Sequence, residues 1–183
     1  MASSSSSEQR TSSYKVSIQV SATPNGDEDT EVYYKRDGTR FESEFTLKFL
    51  VETGYEFIIF IRPSLPLKSI AVQGGGVNFT DLSSGQENAI GCSKYSFTWS
   101  STKIDPNKKK DRTTLPLLLT FQDGINLLIP LQVKFYRQED TQHVTWGTPL
   151  RQIDLECEVK AGATYLDIVK QTFRWEIEIE KER

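Results

Sequence analysis

The sequence predicts an all-β protein, an antiparallel β-sandwich closing into a flattened barrel of roughly ten strands. Three observations predict this class. Apolar side chains recur at every second position through most of the chain, turn-forming residues separate these segments, and no segment keeps a helical period for a dozen residues, with 163–171 coming nearest. A sheet with one apolar face must bury that face, so we expect two sheets packed on each other.

The first strand follows a serine-rich segment, residues 1–13, that we expect to be a disordered tail. Val16, Ile18 and Val20 alternate with polar residues, a pattern typical of a half-buried strand. A further strand alternates apolar residues with Thr46 and Lys48. The strands predicted in this half of the chain cover residues 14–20, 31–36, 45–51, 55–62, 67–73, 77–82 and 92–99.

The second half of the chain opens with a polar stretch, residues 100–114, that we expect to be a flexible exposed loop. A long hairpin about Asp123-Gly124 follows, with Gln132 and Lys134 facing outward. The strands predicted here cover residues 115–122, 127–136, 150–159 and 173–179. Residues 14–183 are therefore predicted to form a single β domain.

Composition excludes several classes of function. The net charge of -3 and the pI of about 5.3 disfavour nucleic-acid binding. With 1 His and 2 Cys, a cysteine-rich zinc site or a disulfide framework is not expected, and we predict neither metal nor cofactor. Cys92 and Cys157 are expected to be small buried side chains. No secretory signal follows the first residues, so we expect the protein to be cytoplasmic.

The segment around His143 and Trp146 carries the most unusual side chains. His143 would need an orienting carboxylate and a nucleophile to act as a general base, and no nucleophile stands out near it. We therefore predict that the protein is not an enzyme. Trp146 precedes Gly147, an odd choice for a solvated turn. We expect Trp146 to be buried as a plug at one end of the barrel, with ligand gating as the second interpretation.

Several ordered strings carry a resemblance to a known family. They are residues 32–41 (VYYKRDGTRF), 61–64 (IRPS), 131–136 (LQVKFY), 146–149 (WGTP), 153–157 (IDLEC) and 170–173 (KQTF). From about residue 14 to 173 the chain resembles the cannabinoid receptor-interacting protein 1 family. The resemblance implies a non-enzymatic protein of the cytoplasm or of the inner face of the plasma membrane. It would bind the C-terminal tail of the type 1 cannabinoid receptor, associate with the membrane through that partner, and temper G-protein signalling.

The family fold looks like that of the Rho GDP-dissociation inhibitors, which hold a lipid anchor between their sheets. That likeness supplies an alternative function, a carrier for a lipid-modified protein or peptide in an apolar cavity. The simpler interpretation of the candidate cavity residues is that they fill the core. The residues that would line such a cavity are Phe57, Ile59, Leu119, Ile129, Leu131 and Val133.

For the receptor-binding function, a peptide could add as a strand to a sheet edge or be gripped by loops around Trp146. The candidate partner-binding residues are Tyr136, His143 and Trp146. Residues 174–183 extend beyond the end of the family pattern. The alternating apolar residues from Phe173 to Ile179 must be covered by their own sheet or by a second copy, so a dimer is one expected arrangement.

Overall fold

The computed structural model describes residues 11–23, 29–83 and 91–175, which form fourteen strands, a 3₁₀ turn and a short helix. The first seven strands are β1 (Thr11–Ala22), β2 (Thr30–Glu31), β3 (Tyr33–Arg36), β4 (Phe45–Leu50), β5 (Gly54–Arg62), β6 (Leu67–Val72) and β7 (Gly75–Val77). The other seven are β8 (Phe79–Asp81), β9 (Ser93–Ser100), β10 (Thr113–Phe121), β11 (Asn126–Tyr136), β12 (Thr148–Pro149), β13 (Gln152–Lys160) and β14 (Asp167–Arg174). The 3₁₀ turn (Gln138–Asp140) and α1 (Thr141–Thr145) lie between β11 and β12.

The strands form two seven-stranded sheets that pack face to face. The first has the order β14-β13-β1-β5-β9-β8, with β2 paired to the end of β1, and the second has the order β12-β3-β4-β11-β10-β6-β7. The all-β sandwich is confirmed. The expected closure into a flattened barrel is wrong, because the two sheets keep separate edges instead of joining into one ring. The strand number exceeds the expected ten because the structure contains several strands of two or three residues.

One strand pair departs from the antiparallel pattern. β4 and β11 run parallel, with Leu47 opposite Val133 and Phe49 opposite Phe135, whereas the other strand pairs of the described part are antiparallel. A tight hairpin forces antiparallel pairing, but β4 and β11 lie far apart in the sequence and no such turn joins them. The antiparallel arrangement expected from the sequence is therefore interrupted at this central pair.

The core lies between the sheets and is dominated by alternate residues of the longer strands. Phe49 of β4 is at its centre, fully buried and stacked on Tyr55 with ring centroids 4.1 Å apart. The ring of Phe49 also contacts Phe57 and Trp99 of the first sheet and Phe135 of the second. This aromatic cluster joins the two sheets.

Two predicted segments differ from the structure at the ends of the chain. β1 begins at Thr11, inside the segment predicted as a tail, because Thr11 to Ser13 extend the pairing with β13. Residues 163–171, where a helical period came nearest, lead into β14 instead of a helix, and β14 pairs with β13. Phe173 is covered by Tyr34 and Phe45 of its own chain. The remainder of the predicted last strand, from residue 176, lies outside the described residues, as do residues 1–10 of the tail.

The polar loop between β9 and β10 is fastened at its end by a buried ion pair. Arg112 contacts Asp37 through two hydrogen bonds, of 2.9 Å from Nε and 3.2 Å from Nη2, and both side chains are 6% exposed. Thr46 also donates to Asp37, and the guanidinium of Arg112 lies over the ring of Phe41. The loop is therefore tied to β3 and β4, and the lysines at positions 108, 109 and 110 remain exposed.

Candidate functional site

The three predicted partner-binding residues line one cleft of about 700 Å³, which we call the basic cleft. It lies between the polar loop, the end of β11 and the segment from the 3₁₀ turn to Trp146. Tyr136 is buried in it, whereas His143 and Trp146 are exposed. The lining residues are Lys35, Lys48, Pro106, Asn107, Lys108, Lys109, Lys134, Phe135, Tyr136, Arg137, Asp140, His143 and Trp146.

The charge of the basic cleft is opposite to that of the whole chain. Its lining includes six lysine and arginine side chains and the carboxylate of Asp140, in a chain with a net charge of -3. Side chains of one sign in a concave, partly desolvated site concentrate the electrostatic field there. The cleft is therefore suited to a ligand that carries negative charge.

Lys48 holds one wall of the cleft in place through hydrogen bonds to its backbone. It lies on β4 and is 5% exposed, and its Nζ donates to the carbonyl oxygens of His143 at 2.8 Å and Trp146 at 2.7 Å. These carbonyls lie at the end of α1, where helical carbonyl groups lack intrahelical partners. The ammonium also lies 5.7 Å from the ring centroid of Tyr136, with that of Lys134 at 4.9 Å. Lys48 thus fixes the segment that carries His143 and Trp146.

The amines of Lys35, Lys48 and Lys134 lie near other cations and near the carboxylate of Asp37, which forms an ion pair of 3.9 Å with Lys35. Burial, which is the largest cause, and the charges of the nearby Lys35 and Lys134 together lower the pKa of Lys48 to about 8. The pKa values of Lys35 and Lys134 are also lowered, first by burial and then by neighbouring cations that include Arg112. An anion bound in the cleft would favour the charged form of all three amines.

We expect the stability contributed by Lys48 to depend on pH. A lysine whose pKa is lower in the folded than in the unfolded state binds fewer protons when folded, so stability rises with pH between about 8 and about 10.4. The Lys48→Met variant lacks this term. The free energy of unfolding of the wild type, measured relative to that of the variant, should therefore increase by about 2 kcal/mol between pH 7.5 and pH 10. Urea unfolding of both proteins at each pH measures it, and a difference that stays constant with pH would contradict it.

Trp146 does not plug the sandwich, and the expectation that it would is wrong. Its side chain is 68% exposed and contacts the ring of His143, with centroids 4.9 Å apart. The reason lies in its neighbours. Val144 is the buried residue of α1, and a Cβ at Gly147 would lie 2.8 Å from the carbonyl oxygen of Tyr34, so the backbone itself packs on β3. This close backbone packing leaves the indole at the rim of the cleft.

A second concave site, the apolar pocket, adjoins the basic cleft. It measures about 330 Å³ and also includes Lys48 in its lining. α1 separates the two sites, since His143 lines the cleft whereas Val144 lines the pocket. The residues lining the apolar pocket are Ala22, Thr30, Glu31, Val32, Tyr33, Lys48, Leu50, Tyr55, Thr141, Val144 and Thr145.

The six residues predicted to line a lipid cavity lie elsewhere. They pack in the core between the sheets, and each is 1% exposed or less. Neither the basic cleft nor the apolar pocket includes any of them. The six residues, all buried in the hydrophobic core, are Phe57, Ile59, Leu119, Ile129, Leu131 and Val133.

The cleft presents cationic and aromatic side chains together with one carboxylate, that of Asp140. His143 contacts Trp146, and within residues 11–23, 29–83 and 91–175 no hydrogen bond or ion pair joins its ring to a carboxylate or a nucleophile. In the same ranges no three His, Cys, Asp or Glu side chains are grouped as metal ligands. Burial raises the pKa of Cys157 to about 11, which keeps that thiol protonated and unreactive near neutral pH. Of the helices in the described part of the chain, none is long and apolar enough to cross a bilayer.

Sequence reasoning found the aromatic residues of the cleft and missed most of its charge. Lys35, Lys48 and Lys134 belong to three different strands, and sequence separation conceals that their amines converge. One signal was available for two of them, since Lys48 and Lys134 lie at positions that alternate with apolar residues and thus belong to the outer face of their strands. The order of the strands, which places β4 between β3 and β11, completes the cluster.

Comparison with known proteins relates the chain to one family, both by its sequence profile and by individual relatives. Residues 10–173 match the sequence profile of a family described as CB1 cannabinoid receptor-interacting protein 1. The chain is 29% identical over 160 residues to the CB1 cannabinoid receptor-interacting protein 1 of Homo sapiens, an alignment covering 87% of this chain and 94% of that protein. The protein of the same name from Bos taurus gives the same values, and that from Rattus norvegicus is 26% identical over 163 residues with the same coverage.

Proposed function

Because the chain belongs to the CB1 cannabinoid receptor-interacting protein 1 family, we propose that it binds the C-terminal tail of a cannabinoid-type receptor and thereby regulates signalling through G proteins. The binding site in this proposal is the basic cleft. The observation that supports it is the convergence of Tyr136, His143 and Trp146, which come from β11, α1 and the residue after α1, on one concave surface.

The edges of the sheets support loop recognition over strand addition. β7 and β8 have three residues each, and β12 has two residues and ends in Pro149. Short edges and proline are features that protect sheets from pairing with another chain. β14 is longer, but its exposed residues include Asp167 and Lys170, and charges on an edge disfavour pairing as well. The cleft therefore offers a better surface for a peptide than the strand edges do.

Binding alone is sufficient for a regulatory role of this kind. A receptor tail held in the cleft is covered along the bound stretch, and other proteins that recognise the same stretch then have to compete for it. This proposal places the protein in the cytoplasm, at the inner face of the plasma membrane when a receptor is bound, and it requires no catalytic group. Its membrane association would come from the receptor.

Trp146 provides the direct test of the site. We expect Trp146→Ser to weaken binding of a fluorescent receptor-tail peptide at least 10-fold in an anisotropy titration, because exposed aromatic side chains at a binding site supply much of the contact energy. The thermal midpoint should stay within about 2 °C, since the indole is 68% exposed.

The matched control is Trp175→Ser. Trp175 is 57% exposed and lies just after β14, outside both the basic cleft and the apolar pocket. The Trp175→Ser variant should bind the peptide with the same affinity as the wild type. Equal affinity of wild type and Trp146→Ser would place the peptide elsewhere on the molecule, and the same loss in both variants would point to a non-specific effect of removing an exposed tryptophan.

A further inference from the structure

We infer that the basic cleft and the apolar pocket form one two-part site, whose occupant is a peptide with an acidic stretch and one large apolar side chain about three residues away. The inference rests on the proposed function in taking the occupant to be a peptide. It adds the chemistry and the spacing by which that peptide is recognised.

The acidic part follows from the charge of the basic cleft. The amines of Lys48 and Lys134 lie over the ring of Tyr136. Lys35 and Arg137 also line the cleft, and Lys108 and Lys109 extend the lining from the polar loop. Asp140 is the acidic residue in the lining. The mutual repulsion of these cations is relieved when carboxylates of a ligand enter between them. An uncharged peptide would leave the repulsion in place.

The charge also favours a ligand that enters the cleft over an extended anionic surface. Outside the lining, Asp105 and Asp111 bracket the lysines of the polar loop, and Glu139 precedes α1, all of them exposed. A flat membrane or a nucleic acid would face this mixture of signs, which weakens its attraction. The excess of positive charge is confined to the concavity, where a narrow chain can reach it.

The apolar part follows from the second site. Val32, Leu50 and Val144 line the apolar pocket together with two tyrosines, and about 330 Å³ is enough space for one large side chain. An open apolar pocket next to a charged cleft is typical of peptide sites in which one side chain is an anchor and the flanking charges set register.

Lys48 and α1 connect the two parts. The pocket and the cleft share Lys48, and they lie on opposite faces of α1, which presents Val144 to one and His143 to the other. A helix with its side chains is about 10 Å across, and an extended peptide covers about 3.3 Å per residue. A peptide crossing over α1 therefore places its apolar anchor and its nearest carboxylate about three residues apart.

The test uses the whole chain and fluorescent 14-residue peptides in anisotropy titrations at 50 mM and 200 mM salt. The parent peptide, unrelated to any receptor, carries one Leu and, three residues later, three consecutive Glu. In the other peptides Gln replaces Glu, Ser replaces Leu, or eight residues separate the two features. A receptor-tail peptide is titrated in its natural form and with its acidic residues replaced by amides.

On the protein side, Lys109→Gln with Lys134→Gln removes charge from the cleft, and Thr141→Trp fills the pocket. Lys68→Gln, an exposed lysine of β6 outside both sites, is the matched control for loss of charge. Circular dichroism melting of each variant verifies that it is folded, and a variant that does not fold is replaced by Lys108→Gln or Thr145→Trp at the same sites.

We expect the parent peptide to bind at least 10-fold more tightly than the Gln, the Ser and the long-spacing peptides, and to lose affinity as salt rises. The double lysine variant should bind the Glu and Gln peptides with equal affinity. The Thr141→Trp variant should bind the Leu and Ser peptides with equal affinity. Three results would overturn the inference. The first is equal affinity for the Glu and Gln peptides, and the second is equal affinity for the Leu and Ser peptides. The third is an affinity for the parent peptide that is the same in both protein variants as in the wild type.

Failure of the inference and failure of the proposed function give different results. If the receptor-tail peptide binds equally well with its acidic residues as amides, the proposed function stands and the inference falls. If the unrelated parent peptide binds with the expected pattern and the receptor-tail peptide does not bind, the inference stands and the proposed function falls. If neither peptide binds, both are overturned.

Discussion

Replacing Phe49 by alanine should lower the free energy of unfolding by about 4 kcal/mol, the largest single effect we expect in the core. Phe49 is fully buried, is stacked on Tyr55, and contacts aromatic rings from both sheets. Its removal leaves a cavity at the point where the sheets meet, and the rigid strands around it cannot collapse to fill the space. Urea unfolding followed by tyrosine and tryptophan fluorescence measures the loss.

The control for this substitution is Leu128→Ala, which removes an apolar side chain that is 55% exposed. Its free energy of unfolding should change by about 0.5 kcal/mol or less. Similar losses for Phe49→Ala and Leu128→Ala would mean that the aromatic cluster does not join the sheets in the way its geometry indicates. The slope of the urea transition should stay constant, because a changed slope would report a change in the unfolded or native ensemble rather than in packing.

The second large effect concerns the buried ion pair of Asp37 and Arg112. We expect Asp37→Asn to lower the free energy of unfolding by about 3 kcal/mol, because it leaves the guanidinium of Arg112, 6% exposed, without its counter-charge. The same substitution should weaken peptide binding, since Arg112 ends the loop that brings Lys108 and Lys109 to the basic cleft. Urea unfolding and the anisotropy titration measure the two effects.

The ion pair also predicts a dependence on acid. Burial alone would raise the pKa of Asp37, but hydrogen bonds from Arg112 and Thr46 and the charge of Arg112 outweigh it and hold the pKa below its ordinary value. A carboxyl with a lowered pKa in the folded state contributes stability above its unfolded pKa of about 3.9 and loses it as pH falls through the lower folded value. Asp37→Asn should therefore lose least relative to the wild type at the lowest pH.

An exposed pair on the neighbouring strands supplies the comparison. Arg36 and Glu44 form an ion pair in which the side chains are 73% and 46% exposed. Glu44→Gln should cost less than about 1 kcal/mol, because solvent screens exposed pairs. A cost for Asp37→Asn as small as that for Glu44→Gln would mean that water reaches Arg112 once Asp37 is changed.

The sequence predicts the longer strands well because their inner faces are regular. Alternation identifies β1 and β11, and the residues it assigns inward, such as Ile18 and Leu131, are buried in the structure. Which strands pair, and in which orientation, is harder to predict from the sequence. The parallel contact of β4 and β11 joins residues such as Leu47 and Val133, and no turn or local preference along the chain specifies that orientation.

The candidate site was only partly predictable for the same reason. Trp146 and His143 are conspicuous residue types close together in sequence, so the sequence alone draws attention to them. Lys48 is different, because alternation assigns it to the outer face of β4, yet that face is covered by a segment 95 and 98 residues away, at His143 and Trp146. Burial created by a distant segment leaves no mark on the local pattern, and Gln132, expected to face outward, is buried in the same way.

The position of β1 has a consequence for how the protein is made in the cell. β1 is paired on one side with β5 and on the other with β13, and the bond from Ser17 to Asp154 joins residues 137 positions apart. A ribosome adds about 5 to 20 residues per second, so β1 emerges on the order of ten seconds before β13 exists. During translation one edge of this strand has no native partner, which exposes the nascent chain to wrong pairing. The protein should therefore depend on chaperones during its synthesis more than a helical protein of equal length, whose contacts are mostly local.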